Sequence, residues 1–171
     1  MAKALLRDCD HMVGFDTEQL GCALRPALSH ARPVKDFQDW PAWRRLVVTA
    51  LTEIVREEVG DVVVPQTVLV QPYWAEISAG LAQNGVDGLA VTLHVEHAEH
   101  LRRIKSDMLS RPAVDQGRLI AAEWRRSRRG DYDAALPWLR ARTCVIDTTT
   151  VPADRVAQQV MQARNSCHGI Q

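Results

Sequence analysis

Residues 61–73, DVVVPQTVLVQPY, restrict what this chain can fold into more than any other stretch. Val62, Val63 and Val64 form an unbroken β-branched run, the pattern of a strand covered on both faces. Pro65 ends the run, because a residue without an N–H cannot donate to a sheet ladder. Polar Gln66 and Thr67 follow, and residues 73–84 (YWAEISAGLAQN) have helical spacing up to Gly85. Strand, polar turn and helix are the repeating parts of a parallel α/β sheet, in which ligands sit beyond the carboxyl ends of the strands. Gln66 and Thr67 are candidate site residues on that ground. The same pattern also describes a capped turn with no ligand.

The alternation recurs along the chain. Residues 12–16 (MVGFD) read as a short strand ending in a carboxylate, and residues 17–28 as a helix with Thr17 or Asp16 as its N-cap. Residues 40–59 form the longest helical segment, with Pro41 in its first turn. Leu46, Val47, Ala50, Leu51, Ile54 and Val55 give that segment an apolar stripe, and Gly60 closes it. Residues 87–93 and 144–147 read as further strands, and residues 98–105 begin a helix. Residues 107–117, with Pro112 and Gly117, read as irregular. Residues 118–129 read as a basic helix broken at Gly130-Asp131, with a separate helical piece at 134–140 and a closing helix at 151–164. The expectation is one α/β domain with a mostly parallel sheet, a size ordinary for 171 residues.

Composition narrows the partners. A formal net charge of zero creates no global field for nucleic acid or an anionic membrane. No apolar stretch approaches the roughly 20 residues needed to span a bilayer, and the first residues lack the apolar core of a signal peptide. Cys9, Cys22, Cys144 and Cys167 are far apart and form no CxxC, which fits reduced thiols in a cytoplasmic protein.

Four clusters bear on chemistry. Asp16-Thr17-Glu18 stands at a strand end, where a carboxylate can accept a proton or bind a hydroxyl; a helix cap is the plainer reading. Residues 36–44, DFQDWPAWR, hold two tryptophans, two aspartates and an arginine, suited to a pocket wall or to simple burial. Arg102-Arg103 and the arginines from Arg118 to Arg129 flank residues 107–117; guanidinium forks there suit phosphates, or form a solvated basic face. His94, His97 and His100, with Glu96 and Glu99, have a spacing that lacks the i, i+4 pair of a helical zinc site, so no metal is expected.

Several stretches occur together in a recognisable order. They are FDTEQLGCALRP (15–26), DFQDWPAWR (36–44), VVPQTVLVQPYWAEI (63–77), LRRI (101–104), EWR (123–125), PWL (137–139) and VIDTT (145–149). In this the chain resembles the bacterial P-loop ATP-binding proteins related to the tunicamycin-resistance protein, a group of kinase-like P-loop NTPases near the nucleoside-monophosphate kinases. The resemblance implies a parallel sheet flanked by helices, with ATP and Mg²⁺ as cofactors and phosphoryl transfer to a small molecule, or antibiotic-resistance-type ATP hydrolysis. It implies that Asp16 and Glu18 face the acceptor, with Arg25, Trp40, Trp43 and Arg44 shaping that pocket. It places Gln66, Thr67 and Arg102 near the nucleotide. Asp16, Arg103 and Arg125 become catalytic candidates, the two arginines as lid groups around 107–117.

One departure is large. Relatives open with a strand and a GxxxxGK[ST] loop, and this sequence has no such motif; Gly80 and Gly85 share the glycine spacing but lead into Val86-Asp87. The resemblance therefore places Met1 just past the phosphate loop, with roughly 15–20 residues of strand and loop expected to be absent. Its sheet order of 2-3-1-4-5 would then lack the central strand. Residues 12–16 are expected to pair with 62–64, and 87–93 with 144–147. Weak or no ATP binding by these 171 residues follows. A non-catalytic nucleotide- or drug-binding protein and an inactive interaction module are the alternatives; the acceptor and the oligomeric state stay open.

Overall fold

The computed structural model describes residues 2–8, 11–57, 60–109 and 116–168. The chain divides into two compact units, Met1–Gly88 and Leu89–Gln171. In the first, α1 (Ala2–Asp8), β1 (Met12–Gly14) and α2 (Glu18–Leu28) precede a 3-10 turn (Phe37–Asp39). Then follow α3 (Pro41–Arg56), β2 (Asp61–Val63) and α4 (Gln71–Gln83). Strands β1 and β2 pair in parallel, with Met12 opposite Asp61 and Gly14 opposite Val63. The Phe15 N–H extends the ladder by donating to the Val63 carbonyl at 3.0 Å.

The second unit holds β3 (Val91–His94), α5 (His97–Leu109), α6 (Gln116–Arg142), β4 (Cys144–Asp147) and α7 (Ala153–His168). Strands β3 and β4 pair in parallel from Val91–Cys144 to His94–Asp147. Both pairs join the strands that the sheet order implied by the resemblance paired. Among the described residues the sheets are two-stranded, so the protein is mixed α/β and mostly helical. Among those residues no helix is long and apolar enough to cross a membrane.

The core of the first unit is set by α3. Trp40, Trp43, Val47 and Leu51, with Ile77 of α4, are buried together, and Phe15, Leu20, Leu24, Val62 and Val64 pack on them. The buried face is therefore rotated from the expected aliphatic stripe: Leu46 and Val55 are exposed. Two indoles remove far more surface from water than two aliphatic side chains, so they decide which way the helix turns. Helix α4 lies close on α3, and a side chain at Gly80 would meet Val48 at 2.9 Å. Gly85, at φ +72, ends α4. The Gly80–Gly85 spacing thus belongs to a packed helix and its stop.

In the second unit the basic helix continues where a break at Gly130 was expected. Helix α6 runs unbroken for 27 residues through both Gly130 and Pro137. Those residues cost roughly 1 and 3 kcal/mol in a helix interior. Burial of Ala122, Ala135 and Leu139, with ion pairs Arg128–Asp131 and Arg129–Asp133 spanning Gly130, opposes that cost. The stretch expected to be irregular is helical at both ends: residues 107–109 close α5 and residues 116–117 open α6. Residues 110–115, the middle of the expected lid, lie outside the described residues.

Gly60 sits at φ +96, and a Cβ there would stand 2.1 Å from the His11 carbonyl oxygen. Gly85 also has positive φ but opens into free space. Gly60→Ala is expected to cost about 2–3 kcal/mol in urea denaturation and Gly85→Ala only about 1 kcal/mol. Equal losses would show that the close approach to His11 is not a constraint.

Candidate functional site

The carboxyl ends of β1 and β2 carry the first polar network. Just past β1, Asp16 Oδ1 accepts the Glu18 N–H at 3.0 Å, so Asp16 caps α2. Thr17 makes no cap bond and turns inward, where it is 0% exposed. Its hydroxyl donates to Gln66 Oε1, and its carbonyl accepts the Trp43 indole N–H at 3.1 Å. A residue past one strand is thus tied to a residue past the other, and both to the core.

A second anchor comes from the 3-10 turn. Gln38 is buried and donates from Nε2 to the Thr67 carbonyl at 2.7 Å. Its own N–H donates to Asp36 Oδ1 at 3.1 Å, and its carbonyl accepts from Arg44 Nη1. Arg44, 7% exposed, also donates from Nε to Glu76 Oε2 at 2.6 Å and lies 4.1 Å from the centre of the Tyr73 ring. The Tyr73 hydroxyl donates to Asp39 Oδ1 at 3.2 Å. Burial first, then the charge and hydrogen bond of Asp39, push the Tyr73 hydroxyl above its ordinary pKa.

The candidates of this unit therefore occupy different depths. Asp16, Glu18, Arg25 and Thr67 are exposed, and Gln66 is half-buried. Trp40 and Trp43 lie inside the core; the Trp40 indole donates to the Arg32 carbonyl at 2.8 Å and its ring stacks on Phe37. Arg25 covers the other aromatic of that pair, 4.9 Å from the centre of Phe37. Arg44 braces the 3-10 turn against α4.

At the ends of β3 and β4 the second unit has a network of its own. Arg103 donates from Nε to Glu99 Oε1 at 2.8 Å and from its two Nη groups to the Thr148 hydroxyl and to the Thr148 and Thr149 carbonyls. Arg102 takes both oxygens of the same Glu99, at 2.5 and 2.8 Å. Hydrogen bonds from Arg102 and then Arg103 hold the Glu99 carboxyl down to about 2. Arg125 pairs with Asp107 at 2.8 Å. Asp147 accepts from both the N–H and the hydroxyl of Thr149, which lowers its pKa. His94 Nδ1 meets the Tyr132 hydroxyl at 2.8 Å, and Arg129 lies over the Tyr132 ring while donating to the Val95 carbonyl. Burial, followed by the charges of Arg129 and neighbouring cations, lowers the pKa of His100. Among the described residues no three His, Cys, Asp or Glu side chains stand where they could share a metal ion.

Comparison with known proteins matches this architecture at the level of fold. The solved structure of the Deinococcus radiodurans tunicamycin resistance protein is similar, with a TM-score of 0.72. It is 22% identical, and the match covers 96% of this chain and 88% of that one. No protein-family model matches the chain, and no curated protein matches its sequence. At that identity the likeness is one of fold.

Sequence reasoning passed over Gln38, Tyr73 and Glu76, and read Thr17 as a helix cap. For Gln38 a signal existed: it lies between the two aspartates of DFQDW, inside a stretch already singled out for its indoles and charges. Tyr73 and Glu76 stand three apart on α4, the spacing that puts both on one helix face toward Arg44. The inward turn of Thr17 gave no signal, because a threonine before a helix looks the same whether it caps or turns inward.

Two measurements test this bracing. Arg44→Met, which leaves the Gln38 carbonyl without its donor, is expected to cost about 2 kcal/mol in chemical denaturation. Glu76→Gln, on a partner open to water, should cost less than about 1 kcal/mol; the reverse ranking would place the bracing elsewhere. Glu99 is depressed in the folded state, so its contribution is full above its ordinary value of 4.5 and lost as pH falls toward 2. Glu99→Gln should therefore be less stable than the parent at pH 7 and equal to it near pH 2. A constant difference across that range would refute the clamp.

Proposed function

We propose that this chain is the body of an ATP-dependent, kinase-like P-loop protein of the antibiotic-resistance type, whose acceptor is a small molecule bound at the ends of β1 and β2. The supporting observation is the fold likeness to a tunicamycin resistance protein across 96% of the chain. The residues at the two strand ends are of the right kind for the role. Asp16 commits Oδ1 to the Glu18 N–H, which leaves Oδ2 to accept a proton from an acceptor hydroxyl. Glu18 and Arg25 are exposed beside it on α2 and bind the acceptor, while Trp40, Trp43 and Arg44 hold the walls in place from the core.

Gln66 and Thr67 are read as contacts to the nucleotide. The set past β2 is a neutral amide and a hydroxyl with no carboxylate, which suits oxygen acceptors better than a divalent cation. Mg²⁺ would therefore arrive on the nucleotide's own phosphates. Within the second unit, Arg102, Arg103 and Arg125 could take a phosphate only by exchanging Glu99 and Asp107 for it. ATP affinity of the 171 residues themselves is expected to be weak, above about 1 mM, because the sequence holds no GxxxxGK[ST] to cradle the triphosphate. Binding without turnover is the second reading. It is favoured by one fact: Arg102, Arg103 and Arg125 all already hold a carboxylate.

Tunicamycin titrated into the chain by calorimetry tests the acceptor site. Saturable binding is expected, weakened at least about tenfold by Asp16→Asn with Glu18→Gln, at unchanged melting temperature. Equal affinity of parent and variant, or no binding by either, would remove these carboxylates from the acceptor site. Appearance of ADP or a phosphorylated drug with ATP·Mg²⁺ separates transfer from sequestration.

A further inference from the structure

The end of β2 carries a side chain whose direction is fixed before any ligand arrives. Thr17 is wholly buried, and its hydroxyl donates to Gln66 Oε1. An amide whose oxygen is occupied in this way must aim its N–H₂ group away from Thr17. Gln66 is only half-buried, and its Nε2 meets no acceptor among the described residues. The backbone behind it is held too, since Gln38 grips the Thr67 carbonyl at 2.7 Å and the Trp43 indole grips that of Thr17 at 3.1 Å. The carboxylate past β1, Asp16, spends one oxygen on the start of α2.

We infer that Gln66 is the specificity-determining donor of this site, taking an acceptor oxygen of the ligand directly through Nε2, with no divalent cation at that position. Thr17 is its positioning residue. This rests on the reading that the ends of β1 and β2 bind the ligand. A pinned N–H₂ selects for a carbonyl or phosphoryl oxygen and against an N–H or ammonium group, because burying two donors against each other leaves both unmet. A glutamate at the same place would reverse the preference and invite a cation. The oxygen has two sources, a phosphoryl group or a carbonyl of the acceptor molecule, and they share this chemistry.

The test uses the full chain labelled with ¹⁵N-glutamine and follows the Gln66 side-chain N–H₂ signals. ATP is titrated in one arm and tunicamycin in the other, each with Mg²⁺ and with EDTA. The inference expects Gln66 to shift saturably in at least one arm, equally with Mg²⁺ and EDTA; the responding arm identifies the oxygen. Thr17→Val should weaken that ligand about tenfold and make the two Gln66 protons exchange faster, while Thr17→Ser restores both. Gln66→Glu, at a half-exposed position that tolerates the change, should weaken it about tenfold to a hundredfold. If ligand shifts other signals of this unit and leaves Gln66 unmoved, or tunicamycin moves Gln66 only with Mg²⁺, the inference is overturned and the binding reading stands. If neither ligand moves any signal, both fall.

Discussion

The indole N–H of Trp43 on the carbonyl of Thr17 joins the interior of the first unit to its polar edge. Trp43 is the largest side chain that is fully buried there, at 1% exposure, so its position is set by the core and not by the site. One hydrogen bond then transmits that position to the residue whose hydroxyl orients Gln66. The direction of dependence matters. A polar group steered from a packed interior is as rigid as the packing, whereas one steered by a loop would be only as rigid as the loop.

The 3-10 turn repeats the arrangement from the other side. Gln38 is a buried amide whose side chain and backbone groups reach Asp36, Thr67 and Arg44. Arg44 is in turn held by Glu76 and by the face of Tyr73. Buried polar groups are costly when unpaired and specifying when satisfied. The Thr52 hydroxyl on α3 and His100 Nδ1 on α5, buried without a partner among the described residues, show that the chain tolerates the cost outside this network. In the second unit Arg103 has a comparable office, binding the turn after β4 to the first turns of α5.

Much of this was legible in the residues. The valine run, its proline stop and the polar pair behind it located the end of β2, while both strand pairings came from the sheet order that the family resemblance implies. Other features were not. A helix with two tryptophans ahead of an aliphatic stripe buries the tryptophans, and periodicity alone does not weigh side chains by the area they remove from water. Gly130 and Pro137 looked like breaks because local propensity was the only term in view; packing and charge pairs around them are tertiary. The arginines looked free for the same reason. Their carboxylate partners are one helical turn away for Arg102 and Arg103 but on a different helix for Arg125.

Helix α6 carries a run of arginines that in sequence suggests a surface hungry for polyanions. Folded, Arg125 leans on Asp107, Arg126 on Glu123, Arg128 on Asp131 and Arg129 on Asp133. Three of these counter-ions sit on α6 itself and the fourth on α5, so beside each pair the field is that of a dipole, while the arginines of α6 still outnumber its carboxylates and leave the helix net positive. A phosphate nearing this helix meets an attraction shortened by the pairs but not abolished by them.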